Sequence, residues 1–261
     1  MSEVIIEAEN ISFSYAKKKV LDSISLKIEK GKFYGLLGPN GSGKTTLLDL
    51  LMGIKKPDKG KIFLYKKDLE KYKKSEIAKK ISLVPQFFKT DLPYTVEEVL
   101  FMGRYPYMGK FPIPSSEDKK MVLEVMDLLG IKGFKNRYIT NLSGGERQLV
   151  VFARAIVQDT SIIFLDEATS HLDIKHSLKI LNLIREKVKK EGKTIISVFH
   201  DVNLASMYVD KMIFLKNGKL VKAGVLNEVL KKEILEEVFE VKCEIKKLSG
   251  YMYVIFYKEG I

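Results

Sequence analysis

The stretch GPNGSGKTT, residues 38–46, restricts this chain to a small group of folds. It fits the pattern G-x-x-x-x-G-K-[S/T], which is typical of a loop whose backbone N–H groups surround phosphate oxygens. Such a loop joins a buried strand to a helix. The apolar run FYGLL precedes it here, and a helical pattern follows from about Lys44 to Met52. The sequence therefore predicts a strand, a phosphate loop and a helix in direct succession.

Each residue type in this loop has a chemical reason to be there. Glycines let the backbone curl closely around an anion. Lys44 is expected to reach the β- and γ-phosphates of a nucleotide, and Thr45 to offer its hydroxyl to Mg²⁺. The residues predicted to bind the phosphates are Gly38, Pro39, Asn40, Gly41, Ser42, Gly43, Lys44, Thr45 and Thr46.

The patterns around the loop indicate an α/β fold. Apolar strand patterns alternate with helical ones after residue 160, which favours a mainly parallel sheet with helices on both faces. The first strands predict an antiparallel β layer, and residues 95–157 are mostly helical in pattern. We expect one P-loop nucleotide-hydrolase domain with an inserted helical subdomain. Its predicted parts are a core of 1–86 and 158–240, a helical subdomain of 87–157 and a C-terminal β-hairpin of 241–261.

Polar side chains follow three of the apolar strand patterns. Asp166 and Glu167 come directly after SIIFL, Gln86 follows ISLVP, and His200 ends the run SVFH. Because parallel strands end at a common edge, these side chains are expected beside the phosphate loop. Asp166 is predicted to hold Mg²⁺ and Glu167 to polarise the attacking water. Gln86 is predicted to orient water or metal, and His200 to contact the γ-phosphate.

A second anion signal lies in NLSGGERQLV, residues 141–150. Ser143 and Glu146 have the spacing of a capping box, which explains them locally. Gly144 and Gly145 are not needed for a capping box, and each costs roughly 0.5–1 kcal/mol relative to alanine inside a helix. They are explained if an anion approaches the N-terminus of this helix.

The charge and apolar pattern exclude several classes of protein. The net charge of +12 comes from lysine clusters scattered along the chain, which favours a solvated surface over a nucleic-acid tract. The longest apolar runs have the length of strands, so a soluble cytoplasmic chain is expected. The single Cys243 cannot form an internal disulfide.

The order of these motifs resembles the nucleotide-binding subunit of ATP-binding-cassette (ABC) transporters. The phosphate loop, Gln86, LSGGERQ, IIFLDE, SHLD and His200 carry the resemblance, which covers about residues 3–235. It implies ATP and Mg²⁺ as cofactors, with Thr45, Gln86 and Asp166 as the metal ligands. It also implies a head-to-tail dimer, either a homodimer or a pairing with a close relative, in which Ser143, Gly144 and Gly145 contact the γ-phosphate of ATP held by the other chain.

The resemblance assigns further roles residue by residue. It implies that Tyr15 stacks on adenine, that Thr46 contacts the α-phosphate and that Asp173 crosses the dimer interface. It also places Gln148 against the partner's ribose. His171 receives no role. Because Lys44 and Glu167 are both present, hydrolysis is expected at both sites of the dimer.

A finer resemblance concerns TVEEVLFMGRYPYMG, residues 95–109. Its G-R-x-P stretch is similar to that of ATPase subunits that power import of iron–siderophores, haem and cobalamin. The resemblance implies a peripheral protein on the cytoplasmic face of the membrane and, indirectly, an extracytoplasmic solute-binding protein. The permease is expected to dock near 87–105, with Phe87, Phe88 and Leu92 as apolar anchors.

Three alternatives stay open from the sequence. An exporter or a free-metal importer has the same core motifs. A non-transport ABC ATPase acting on nucleic acid is a second alternative, although no nucleic-acid partner is expected because coiled-coil insertions and a second fused cassette are absent. A scaffold with inactive sites is a third, and the intact Lys44, Asp166 and Glu167 argue against it.

Overall fold

A computed structural model describes residues 3–88, 90–109, 113–168, 172–248 and 250–257. His171, which has no assigned role, and Ser249, at the tip of the predicted hairpin, lie outside these ranges. The described strands are β1 Val4–Tyr15, β2 Lys18–Glu29, β3 Phe33–Leu37, β4 Lys59–Leu64, β5 Lys67–Asp68, β6 Ile81–Val84, β7 Ile162–Leu165, β8 Thr194–Val198, β9 Lys211–Lys216, β10 Lys219–Val225, β11 Lys242–Leu248 and β12 Tyr251–Tyr257.

The helices lie between these strands, and the described ranges also contain four single-turn 3₁₀ segments. The described α-helices are α1 Lys44–Leu51, α2 Lys74–Ala78, α3 Val96–Met102, α4 Ser116–Leu129, α5 Gly144–Val157, α6 Ile174–Glu191, α7 Val202–Tyr208, α8 Leu226–Val229 and α9 Lys232–Phe239. Across the described ranges, none of these helices combines the length and the apolar character that a membrane span requires.

The chain divides into two compact units, and the division falls within α6. The first unit contains residues 1–72 and 182–261, and the second contains 73–181. This division does not test the predicted boundaries of the helical subdomain, 87–157, which stay a prediction.

The first unit contains an antiparallel sheet and a parallel one. The antiparallel sheet has the order β2-β1-β4-β5. In the other, β3 pairs in parallel with β8 and β9, and β10 pairs antiparallel to β9. Every residue of β3 is buried. This agrees with its continuous apolar run, which is typical of a parallel strand covered on both faces.

The second unit pairs β6 with β7 in parallel and contains α3, α4 and α5. Helix α4 begins with a capping box, in which the Ser115 hydroxyl accepts the N–H of Asp118 and the carboxylate of Asp118 accepts the N–H of Ser115. It ends at Gly130, whose φ of 72° is left-handed and favours glycine. Together the two units confirm an α/β fold with parallel strands, an antiparallel β layer and a helical part.

The C-terminal hairpin is attached to α7 through backbone and side-chain hydrogen bonds. The Asn203 side chain donates to the carbonyl of Val254 at 3.0 Å and accepts its N–H at 2.7 Å. Ser206 Oγ donates to the carbonyl of Met252 at 3.1 Å. Cys243 of β11 is fully buried. The hairpin is therefore a packed part of the first unit, and Cys243 belongs to its core.

Candidate nucleotide-binding site

The phosphate loop requires its glycines for steric reasons. Gly38, Gly41 and Gly43 have φ of 150°, 77° and 99°, values that other residues rarely adopt. A Cβ on Gly38 would lie 2.1 Å from the carbonyl oxygen of Leu215, which is backbone and cannot give way easily. The tight loop between β3 and α1 therefore exists only with glycine at these places.

The donors of this loop fit a phosphate group. Gly43 caps α1 without a side chain that could accept the first N–H groups of the helix. Lys44 is buried, and its Nζ donates to the carbonyls of Gly38 at 2.9 Å and Pro39 at 3.0 Å. Ser42 Oγ is buried and has no hydrogen-bond partner among the described residues. An uncapped helix N-terminus, a lysine and an unpaired hydroxyl form the donor set that binds anions.

His200 lies at the same strand edge as this loop. The register between β3 and β8 pairs Leu36 with Val198. Gly38 and His200 each follow two residues later, just past the ends of these strands. The first glycine of the loop and the histidine therefore lie at the same edge of the sheet. His200 is exposed. The first unit therefore brings together the predicted phosphate loop and the predicted γ-phosphate contact.

The second unit brings Gln86 and Glu167 together in the same way. Val84 of β6 pairs with Leu165 of β7, and the two polar residues follow two positions later on each strand. The side-chain amide of Gln86 donates directly to Glu167 Oε2. A glutamine that holds the carboxylate in place is suited to orient a base next to its substrate water.

Glu167 also has an unusual backbone. Its φ of 51° is in the left-handed region, which costs a residue other than glycine of order 1–3 kcal/mol. Such strain occurs at sites where a side chain has to be aimed in one direction. Asp166, the preceding residue, is buried, and its backbone N–H donates to the carbonyl of Val84 at 2.9 Å.

The predicted metal ligands have the composition that Mg²⁺ prefers. In the part of the chain that is described, no three His, Cys, Asp or Glu side chains converge as a protein-only metal site. Mg²⁺ at nucleotide sites is held by one or two carboxylates with hydroxyl, amide and phosphate oxygens. Thr45, Gln86 and Asp166 supply one carboxylate, one hydroxyl and one amide oxygen, so the set fits a metal that nucleotide phosphates complete.

Helix α5 begins with the predicted capping box. The Ser143 hydroxyl accepts the N–H of Glu146 at 3.3 Å, and the Glu146 carboxylate accepts the N–H of Ser143 at 2.8 Å. A Cβ on Gly144 would meet no described atom within 4 Å, and one on Gly145 would meet only Leu172, at an ordinary 3.6 Å. Packing within the described chain does not demand these glycines, which agrees with the prediction that an anion approaches here.

Tyr15 is placed at the end of β1 with its side chain open to a ligand. It is 48% exposed, so it is not a core residue. The ring of Phe13 meets it edge-on at 5.0 Å, and Lys55 Nζ lies 5.6 Å from its centroid. A supported, exposed ring of this kind can stack on a flat base such as adenine.

Two side chains whose roles are implied by the resemblance form hydrogen bonds within this chain. Asp173 accepts the backbone N–H of His176 at 2.8 Å and so caps α6, and this bond lowers the pKa of its carboxyl group. Gln148 is buried, and its amide donates to the carbonyl of Ala168 at 3.2 Å. The expectation that Gln148 faces a partner's ribose is therefore wrong for this structure, because the side chain points into the core.

The predicted docking segment contains exposed apolar side chains. Phe87 is 60% exposed and Leu92 is 56% exposed, whereas Phe88 is partly buried. The guanidinium of Arg154 lies 4.9 Å from the centroid of the Phe88 ring. Arg154 has no role among those predicted from the sequence. Its signal was a basic residue inside the apolar stretch QLVVFARAIV.

The G-R-x-P stretch has a structural explanation. Arg104 Nε donates to Asp118 at 2.6 Å, and both side chains are nearly buried. Arg104 Nη1 donates to the carbonyl of Val157 at 3.0 Å, and the guanidinium lies 4.1 Å from the Tyr107 ring centroid. Arg104 thus ties the stretch to the start of α4 and the end of α5.

Replacing Arg104 with Gln is expected to destabilise the protein by about 3 kcal/mol, because Asp118 keeps a buried charge without its partner. Calorimetry should show a Tm lower by roughly 5–10 °C. Arg137→Gln is the control, since its pair with Glu146 is more exposed and worth less than about 1 kcal/mol. Equal Tm values for the two variants would contradict the structural role of Arg104.

Comparison with known proteins identifies related sequences and structures. Residues 21–170 match the family model described as ABC transporter. The petrobactin import ATP-binding protein YclP of Bacillus subtilis is 34% identical over 97% of this chain and 100% of its own length. The iron(3+)-hydroxamate import ATP-binding protein FhuC of the same species is 35% identical over 92% of this chain and 89% of its own.

Two solved structures extend the comparison to the fold. An inward-facing metal-chelate type ABC transporter superposes with a TM-score of 0.83 and 30% identity, covering 98% of this chain and 97% of the other. The dimeric bacterial cassette MJ0796 superposes with a TM-score of 0.75 and 30% identity, covering 85% of this chain and 99% of the other.

Proposed function

Since the chain belongs to the ABC transporter family and is an ATPase of that family, we propose that it powers import of a metal chelate through a membrane permease. The observation that carries the proposal is similarity along essentially the whole chain, at 34% identity, to a petrobactin import protein. The similarity to a metal-chelate type structure supports it. An iron–siderophore, haem or cobalamin is the solute class.

The site residues act by positioning and charge neutralisation. Lys44 and the uncapped N-terminus of α1 hold the phosphates of ATP. Mg²⁺, held by Thr45, Gln86 and Asp166, supplies charge neutralisation on the phosphate oxygens when bound. Glu167, held by the Gln86 amide, orients the attacking water, and His200 contacts the γ-phosphate. Such preorganised groups account for most of the rate in phosphoryl transfer.

Two copies of the chain complete two sites. Ser143, Gly144 and Gly145 at the start of α5 contact the γ-phosphate held by the partner, and Asp173 crosses the interface. The dimeric state of the similar cassette supports this arrangement. Because each site lacks its full set of donors until the copies meet, hydrolysis follows closure of the dimer.

The membrane partner docks on residues 87–105. Phe87 and Leu92 provide exposed apolar surface on this segment. The protein is peripheral, on the cytoplasmic face of the membrane, and an extracytoplasmic solute-binding protein is an indirect partner, linked to it through the permease.

The transport proposal is tested with the permease that co-purifies with the tagged chain. In proteoliposomes with ATP sealed inside, ATP-driven uptake is expected for a ferric siderophore, haem or cobalamin. The expected result is uptake of one chelate at least about tenfold above the same vesicles with ADP. Uptake of free metal ion alone, or export only, would refute the chelate-import proposal. Neither result would contradict the assignment of the chain as an ATPase.

A further inference from the structure

Arg154 lies in the last turn of α5, next to the predicted docking segment. Its guanidinium stacks on the ring of Phe88, with 4.9 Å between the guanidinium carbon and the ring centroid. The residue is only partly exposed, and burial lowers the pKa of its guanidinium. A cation that is largely removed from water is unfavourable unless something compensates its charge.

No carboxylate compensates Arg154 within the described ranges. Three other arginines each form an ion pair with a carboxylate. Arg104 pairs with an aspartate at 2.6 Å, Arg137 with a glutamate at 3.2 Å and Arg185 with an aspartate at 2.8 Å. For Arg154, neither an ion pair nor a side-chain hydrogen bond joins the guanidinium to another described residue. The stack on Phe88 covers one face of the guanidinium. The N–H groups at its edge are not paired with any described residue.

The surroundings of Arg154 are those of an interface. Phe87, directly before the stacking ring, and Leu92 are large apolar side chains with more than half of their surface exposed. On the other side, the G-R-x-P stretch touches the same turn, because a Cβ on Gly103 would lie 2.5 Å from the carbonyl oxygen of Arg154. A desolvated arginine beside exposed aromatic and aliphatic groups has the composition of a binding hot spot.

We propose that Arg154 binds a carboxylate of the permease, carried on the apolar segment that docks on residues 87–105. This deepens the proposed function and rests on it. The partner segment has an Asp or Glu flanked by apolar residues. Its carboxylate meets the guanidinium edge in a bidentate pair while its apolar neighbours cover Phe87 and Leu92. The charge that no described residue of the isolated chain compensates is thereby paired in the complex.

The test compares Arg154→Gln with Arg154→Lys in detergent-purified transporter, using the permease that co-purifies with the tagged wild-type chain. Arg154→Gln removes the charge but keeps a polar side chain, and its affinity for the permease is expected to fall at least about tenfold. Arg154→Lys should be intermediate, because it keeps the charge and loses the planar fork. The control is Lys119→Gln, which removes the charge of an exposed lysine on α4. This variant should bind the permease with wild-type affinity.

The stability of the isolated chain separates docking from a structural role. Arg154→Gln should leave Tm unchanged or raise it, because it removes an uncompensated cation, whereas Arg104→Gln lowers it. Wild-type permease affinity in Arg154→Gln, or a Tm loss matching that of Arg104→Gln, would overturn the inference. A wild-type chain that retains no permease would instead refute the proposed function. The partner residue would be identified by a charge swap: Arg154→Glu should regain permease affinity when one Asp or Glu of the permease is replaced by Arg.

Discussion

Replacing Glu167 with Gln is expected to slow ATP hydrolysis at least about 100-fold while ATP binding is kept. The new amide cannot accept a proton from water, but its carbonyl can still accept the hydrogen bond from the Gln86 amide, so the local structure is preserved. Because hydrolysis no longer opens the dimer, a stable dimer should accumulate in MgATP. Phosphate release and analytical ultracentrifugation measure the two effects.

The matched control is Glu124→Gln, an exposed glutamate of α4 whose ion pair with Lys120 spans 3.9 Å. It should hydrolyse ATP at the wild-type rate and dissociate after turnover. If the Glu167→Gln variant sediments as a monomer at saturating MgATP, the shared-site dimer is wrong. If it hydrolyses ATP normally, Glu167 does not act on the water.

Replacing His200 with Ala is expected to remove most ATPase activity, by about 100-fold, with nucleotide binding retained. The register of β3 and β8 places His200 at the edge of the sheet where the phosphate loop begins, so the substitution should remove the proposed γ-phosphate contact and leave the loop intact. Because His200 is exposed, Tm should stay unchanged. Steady-state phosphate release and nucleotide titration separate turnover from binding.

His200→Gln serves as the graded control, since its amide keeps a hydrogen-bond donor without the imidazole. Partial recovery of activity relative to His200→Ala would indicate that the hydrogen bond matters more than the ring. Near-wild-type turnover in His200→Ala would show that the histidine does not act on the γ-phosphate.

Several short elements could not be predicted. Helix α2, Lys74–Ala78, has five residues, and α8, Leu226–Val229, has four. An apolar face repeats every 3.6 residues, so segments this short do not complete the pattern by which a helix is identified. Strand β5 has only two residues and exists through its pairing with β4. Such elements are set by neighbours that are distant in sequence.

The sequence by itself determined the phosphate loop, the strands that lead to Gln86, Asp166 and His200, and the capping box of α5. All of these depend on residues within a few positions of one another, where hydrogen bonds, allowed φ values and apolar periodicity act locally.

Tertiary structure alone decided what distant side chains do. It joined Arg104 to Asp118 and Val157, turned Gln148 into the core and aimed Glu167 through a left-handed backbone. It also left Arg154 stacked on Phe88, with no carboxylate of the described residues paired to its guanidinium. These outcomes depend on which surfaces pack together, because burial and counter-charge are properties of the folded neighbourhood and cannot be derived from local pattern.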